Sequence, residues 1–224
     1  KSFYYFSYEE ARKAIALKLI MMRAGVVIQK DSNYGAYIHY MKSRGGSVKT
    51  SDEKIEGALQ EYEKLTSAGR LTISDEMYSA DDLATVIGLL AKRGDTGAVI
   101  VDYIQRIPTQ SQSQRYLELK IVSSRLLEQA VKLDIPIILG AQLNRSQDST
   151  KPRLENLRES GDIEQDANLV LSLHTPAIED LEKADSQTKV TTLVDMEVSI
   201  LKNRGGASGR KITLSFNRPV LRIS

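Results

Sequence analysis

Ala98-Val99-Ile100-Val101-Asp102 is the stretch that decides how this chain is read. Four apolar residues in succession leave no polar face, so the segment is a strand covered on both sides. Such strands belong in the middle of a parallel sheet. Parallel strands need long crossovers, and the flanking sequence supplies them. On the N-terminal side Ser79 stands as the cap of a helix with Leu83, Val86, Ile87 and Leu90 on its stripe. On the C-terminal side a long helical period turns Leu119, Val122, Leu126 and Ala130 inward. Ile135-Pro136-Ile137-Ile138-Leu139 then reads as the next buried strand, with proline at its start where a missing donor is tolerated.

Working outward, Phe3-Tyr4-Tyr5-Phe6-Ser7 reads as another buried strand, followed by a helix with Ala11, Ile15, Leu19 and Met22 on one face and Gly25 as its stop. Residues 30–50 are polar and tyrosine-rich and read as a helix-and-loop excursion. Thr50 and Glu53 form a capping box for a helix with Ile55, Leu59, Tyr62 and Leu65 buried and Gly69 closing it. Leu71-Thr72-Ile73 is a short strand. Toward the C-terminus, Leu169-Val170-Leu171-Ser172-Leu173 reads as a further buried strand and residues 174–188 as a surface loop. Met196–Leu201 and Lys211–Phe216 are strands joined by the turn Gly205-Gly206-Ala207-Ser208-Gly209, with a last strand over Val220–Ile223. The expected fold is α/β: a mostly parallel sheet with right-handed crossovers, flanked by helices, ending in an antiparallel strand pair.

Composition narrows the chemistry. The chain has 224 residues, the size of one large domain. Lys+Arg of 31 against Asp+Glu of 29 gives +2, so any nucleic-acid site must be local. The absence of cysteine removes disulfides, thiolate catalysis and cysteine-bearing zinc sites, and two histidines, His39 and His174, exclude a multi-histidine metal centre. Lys18 and Arg23 interrupt the longest apolar stretch, no signal peptide is visible, and a cytoplasmic location without membrane is expected. The chain opens directly in a core strand without an initiator Met, as a fragment would.

Ligands of open α/β sheets bind at the carboxyl ends of the strands. The residues there are Glu9 and Glu10 after the first strand, Asp102 after the second buried strand and Gln142 after the third. Four apolar residues followed by Asp is the form of a Walker B segment, in which a dry strand holds the carboxylate near a Mg²⁺ shared with phosphate oxygens. Taken singly, Glu9 is more often an N-terminal helix acid and Gln142 more often a loop residue; their convergence on one edge raises the joint reading. Nothing in the sequence matches G-x-x-x-x-G-K-[ST], the loop that cradles phosphates. That loop would lie one strand and one helix upstream of Phe3.

These segments resemble the DnaB-type replicative helicases. Leu157-Arg158-Glu159-Ser160-Gly161-Asp162-Ile163-Glu164-Gln165-Asp166-Ala167 carries the longest match, preceded by Gln142-Leu143-Asn144-Arg145-Ser146. Phe6-Ser7-Tyr8-Glu9, Val101-Asp102-Tyr103-Ile104-Gln105 and Lys202-Asn203-Arg204-Gly205-Gly206 resemble further blocks of that family in order. Tyr8 and Glu10 depart from its usual Leu and Met, and residues 30–69 are longer and richer in tyrosine.

The resemblance implies a RecA-like P-loop NTPase core over residues 1–224, truncated at its N-terminus, from a homo-hexamer that hydrolyses ATP with Mg²⁺ and unwinds DNA. It implies Glu9 as the carboxylate that polarises the attacking water, Asp102 as the holder of the Mg²⁺ shell, and Gln142 as the sensor of the γ-phosphate. Lys202 and Arg204 would be cationic fingers reaching a neighbour's ATP. Arg158, Glu159 and Gly161, with Arg145 nearby, would hold single-stranded DNA by its backbone, and primase and a helicase loader are the implied protein partners. Lacking the phosphate loop, the chain by itself is expected to be inactive. The alternatives are a RecA-superfamily ATPase without unwinding activity, and a non-catalytic single-strand-binding or ring-capping subunit.

Overall fold

The structure, a computed structural model, describes residues 1–26, 53–108, 115–143, 152–154, 157, 163–175, 193–217 and 220–224. The excursion over residues 30–50, Thr50 and most of the 174–188 loop lie outside the described residues.

The strand read from residues 98–101 spans Thr96–Asp102 and is β3 of a four-stranded parallel sheet. Its companions are β1 (Ser2–Ser7), β2 (Leu71–Ser74) and β4 (Ile137–Leu139), in the order β2-β1-β3-β4. Val99 and Val101 are fully buried, as the unbroken apolar run requires. Crossover helices are α1 (Arg12–Ala24), α2 (Glu53–Ser67), α3 (Ala80–Ala91) and α4 (Arg115–Leu133).

Helix α3 begins where the sequence asks it to. The Ser79 hydroxyl accepts from the Asp82 amide, satisfying one of the free donors of the first turn. Its stripe buries Leu83 and Ile87 completely, and α4 returns Leu119, Val122 and Leu126 to the same core, which also takes in Tyr4, Phe6, Ile104 and Ile107. Helix α1 has no capping side chain of its own. Instead Asp75, just past β2, accepts from the Arg12 amide at 2.9 Å, which ties the start of α1 to the carboxyl end of the neighbouring strand. Gly25 ends α1 in the left-handed region at φ 69°, where an L side chain would be strained.

A second, antiparallel sheet follows, ordered β5-β6-β7-β8: Leu169–His174, Leu193–Asn203, Lys211–Asn217 and Arg222–Ile223. The expected C-terminal pair is therefore the centre of a four-stranded sheet. A short helix, α5 (Ile163–Asp166), precedes β5, and its Ile163 is part of the core between the parallel sheet and α4.

Three expectations need correction. In α1 the buried residues are Ile15, Ala16, Leu17, Ile20 and Met21, while Ala11 and Met22 are exposed. The buried sector of the helix is wider than a single i, i+4 line. Strand β4 is only half-buried, with Ile138 55% exposed, because among the described residues it pairs with β3 alone. Leu169, Leu171 and Leu173 are half-exposed while Ser172 between them is buried. Ser172 pairs with the equally buried Ser199 of β6, so the covered face carries the serines and the leucine face of β5 is the exposed one, the opposite of what its hydrophobicity suggested.

The two apolar environments on α3 should respond differently to truncation. Ile87→Ala, at a fully buried position, should lower unfolding free energy by roughly 2–5 kcal/mol. Leu89→Ala, at a position 59% exposed, should change it by about 0.5 kcal/mol or less in the same urea titration.

A candidate nucleotide-phosphate site at the sheet edge

Parallel register brings the carboxyl ends of β1, β3 and β4 level. Ser7 lies opposite Asp102, and Val101 opposite Leu139. The ends are then laced by main-chain hydrogen bonds. The Tyr8 amide donates to the Asp102 carbonyl at 2.7 Å, and the Gly140 amide to the Val101 carbonyl at 2.8 Å. The chain past β3 turns back through a 3₁₀ turn over Ile104–Arg106, whose first amide donates to the Gly140 carbonyl at 3.0 Å.

This lacing opens a recess of about 360 Å³ lined by Glu9, Asp102, Tyr103, Gly140, Ala141 and Gln142. Three residues singled out from the sequence thus share one site. A larger groove of about 430 Å³ lies between α3 and α4, bordered by Ala84, Leu89, Arg125 and Lys132. It brings together none of the strand-end acids or amides, which makes the smaller recess the candidate site.

The structure also separates the two adjacent acids. Glu10 is occupied by an ion pair with Lys18, whereas Glu9 is exposed and lines the recess. Their turn is held by Ser7, whose buried hydroxyl donates to the Glu10 carbonyl at 2.7 Å and accepts from the Glu10 amide at 3.1 Å. Gln142 is fixed through its main chain. The Gln105 side-chain amide donates to the Gln142 carbonyl at 3.0 Å and accepts from the Gln142 amide at 3.1 Å. Gln142 can therefore swing its side chain while its backbone stays put.

Asp102 is half-buried, and one of its oxygens, Oδ2, accepts from the Tyr5 hydroxyl at 2.5 Å. Burial, that hydrogen bond and the charges of Asp102 and Glu10 hold the Tyr5 phenol far above its ordinary range, so it acts as a protonated donor. The other oxygen, Oδ1, faces Gly140, where a Cβ would stand 3.1 Å from it. At the mouth of the recess, Arg106 donates from Nε to the Tyr103 hydroxyl at 3.1 Å. That bond and the nearby Glu9 charge raise the guanidinium further above its usual range. Tyr5, Gln105, Gly140 and Arg106 had no role in the sequence reading. Gln105 and Tyr5 stood inside quoted segments, but only tertiary contact assigns their partners.

Lys202 and Arg204 lie elsewhere. Lys202 Nζ donates to the carbonyls of Glu164 and Gln165 at 2.5 and 3.0 Å. Arg204 donates to Asn168 Oδ1 at 3.0 Å and to the Gln165 carbonyl. Within one chain both cations fasten the end of β6 to the carbonyl end of α5, away from the recess. Arg145, Arg158, Glu159 and Gly161 lie outside the described residues.

The donor set suits a shared Mg²⁺. That ion takes one or two carboxylates, several waters and substrate phosphates in place of an all-protein cage. Among the described residues no group of three or more His, Asp or Glu side chains could cage a metal, while Asp102 offers an oriented carboxylate. Among the described residues that line the recess two are acids and none is a cation, while Arg106 stands at its mouth within reach of the Glu9 charge. Among the described residues no helix is long and apolar enough to cross a membrane.

Comparison with known proteins agrees with this geometry. The family model described as "DnaB-like helicase C terminal domain" matches residues 1–224. The replicative DNA helicase DnaB of Mycoplasma pneumoniae is 32% identical over 146 residues, 62% of this chain and 30% of that protein. A probable plasmid replicative DNA helicase of Chlamydia trachomatis is 31% identical over 199 residues, 88% of this chain and 41% of its own length. This chain therefore spans less than half of the curated relatives it matches. The solved structure of a DnaB-like replicative helicase, described with its interactions with primase, aligns with all of this chain and 51% of its own at a TM-score of 0.73 and 24% identity. At that identity it supports the RecA-like helicase fold. With the family model matching from the first residue to the last, the chain belongs to the DnaB-like helicase C-terminal domain family.

Proposed function

We propose that this chain forms the motor part of a replicative DNA helicase, a ring of six copies that hydrolyses ATP with Mg²⁺ and moves along single-stranded DNA to separate a duplex. The observation that carries the reading is the meeting of Glu9, Asp102 and Gln142 in one recess at the carboxyl edge of the parallel sheet. Bound Mg²⁺ supplies charge neutralisation at the transferring phosphoryl group. Asp102 holds that ion's shell with the oxygen left free by Tyr5. Glu9, with no ion-pair partner as close as Glu10 has in Lys18, accepts hydrogen bonding from the attacking water and orients it. Gln142, anchored by Gln105 and free at its side-chain amide, reports the presence of the γ-phosphate to the residues that follow it.

The missing positive charge comes from a neighbouring copy in this proposal. Lys202 and Arg204 exchange their carbonyl partners on α5 for the neighbour's phosphates, and Arg145, Arg158, Glu159 and Gly161 grip the DNA backbone. Glycine admits close approach and main-chain donors read no sequence, which suits a motor that must pass over any sequence. The glycine-rich phosphate loop is not among these 224 residues, so turnover belongs to a protein that carries it. Primase and a helicase loader are the proposed protein partners, and the cytoplasm the proposed location.

Three measurements test this on the full-length protein. Arg204→Ala should abolish hydrolysis, by a factor of roughly 10³–10⁵, and spare nucleotide binding. Mixed with Glu9→Gln it should regain part of the lost turnover, because one seam in the ring then pairs an intact acid with an intact cation. No recovery at any ratio contradicts a shared site. It would leave Arg204 with only its structural bonds to Asn168 and Gln165.

Gly140→Ala should slow hydrolysis on the order of 10²-fold with nucleotide affinity largely kept, since its methyl group would press on Asp102 Oδ1 at 3.1 Å and the Tyr103 Cβ at 3.3 Å. An unchanged rate would show that the recess takes up the added methyl without displacing Asp102.

Affinity for single-stranded DNA should fall with salt, with a logarithmic slope of about −0.7 for each phosphate contacted. A salt-independent affinity contradicts a backbone grip.

A further inference from the structure

We infer that Tyr5 is a positioning residue that sets which oxygen of Asp102 is offered to the metal. This rests on the reading of Asp102 as the metal-bearing carboxylate. Tyr5 and Ser7 stand on the same side of β1, opposite Ile100 and Asp102 on β3. Two steps along a strand are about 6.6 Å, close to the length of a tyrosine side chain. The side chain is therefore long enough to span that offset, and its hydroxyl reaches Asp102 Oδ2 at 2.5 Å.

The residue directly opposite Asp102 cannot do this. Ser7 is short, and both its donor and its acceptor are spent on Glu10. A serine folded away from the carboxylate leaves the space that the Tyr5 hydroxyl fills. A phenol that donates to a carboxylate makes a charge-assisted hydrogen bond.

The consequence is geometric. The last torsion of an aspartate is broad and roughly two-fold, so a carboxylate without a partner presents either oxygen over a wide arc. Tyr5 fastens Oδ2, and the missing side chain of Gly140 leaves Oδ1 room on the recess side, where a Cβ would stand 3.1 Å from it. One oxygen is consumed and the other is directed. Groups that orient a metal-binding carboxylate in this way are typically worth 10–100-fold in metal affinity.

The test uses the full-length protein with Mn²⁺ as the probe and AMP-PNP as the nucleotide, and counts free and bound Mn²⁺ by electron paramagnetic resonance. Tyr5→Phe keeps the ring and removes only the hydroxyl. It should raise the Mn²⁺ concentration for half-saturation by about tenfold or more, while AMP-PNP binding in EDTA and the thermal midpoint stay at wild-type values. Tyr5→Ile, a second strand-compatible variant without a hydroxyl, should shift Mn²⁺ binding in the same direction and stands in if the phenylalanine variant folds poorly. Mn²⁺ saturation at the wild-type concentration in both variants overturns the inference. Asp102→Asn separates it from the reading beneath it. A shift in Asp102→Asn with none in the Tyr5 variants refutes the role of Tyr5 alone. No shift in any of them refutes Asp102 as the metal-bearing group, and the role of Tyr5 falls with it.

Discussion

The main-chain lacing at the carboxyl ends of β1, β3 and β4 is the constraint on which the site depends. Parallel pairing puts Ser7 opposite Asp102 and Val101 opposite Leu139, and two amides, those of Tyr8 and Gly140, continue the ladder one step past the regular strands. Because side chains alternate with a period of two, a slip of one residue would turn Asp102 into the core and Val101 into the recess. The fully buried Val99 and Val101 prevent that slip, since the exchange would bury a carboxylate without a countercharge. Hydrophobic burial within β3 thus fixes the position of a charged group at its end.

Around that edge, charge is unevenly distributed. Glu9 and Asp102 line the recess, Glu10 is neutralised by Lys18, and Arg106 stands at the mouth beside Tyr103. Lys202 and Arg204 are held by carbonyl oxygens of α5, and Arg204 also by the Asn168 side chain, at a distance. Two acids beside an exposed main-chain edge, with Arg106 as the nearby cation at the mouth, favour a divalent cation over a bare anion. A site with this balance calls for further positive groups, which is the electrostatic ground for the proposal that a neighbouring copy supplies them.

Much of the fold was legible in the sequence because it rests on local patterns. The unbroken apolar run of β3, the cap at Ser79, the stripe Leu83–Ile87 and the stop at Gly25 each depend on a few neighbouring residues. The errors fell where pairing partners decide the outcome. Ile138 reads as core yet stands at an edge, and the leucines of β5 read as core yet face outward beside a buried Ser172. Hydrophobicity states what a residue would gain by burial, whereas strand pairing states which side of the sheet is covered.

The site divides in the same way. Sequence by itself determined the residue types at the strand ends, Glu9, Asp102 and Gln142, because polar residues directly after buried strands are forced to the sheet edge. It left Glu9 and Glu10 indistinguishable except by resemblance, and it gave no role to Tyr5, Gln105, Gly140 or Arg106. Only the tertiary structure decided those, through an ion pair that removes Glu10, a tyrosine that reaches Asp102 across 97 positions of chain, and a reciprocal amide clamp across 37. Hydrogen bonds and ion pairs are short-ranged and directional, so their partners are set by where the folded backbone places them and leave no periodic trace in the sequence.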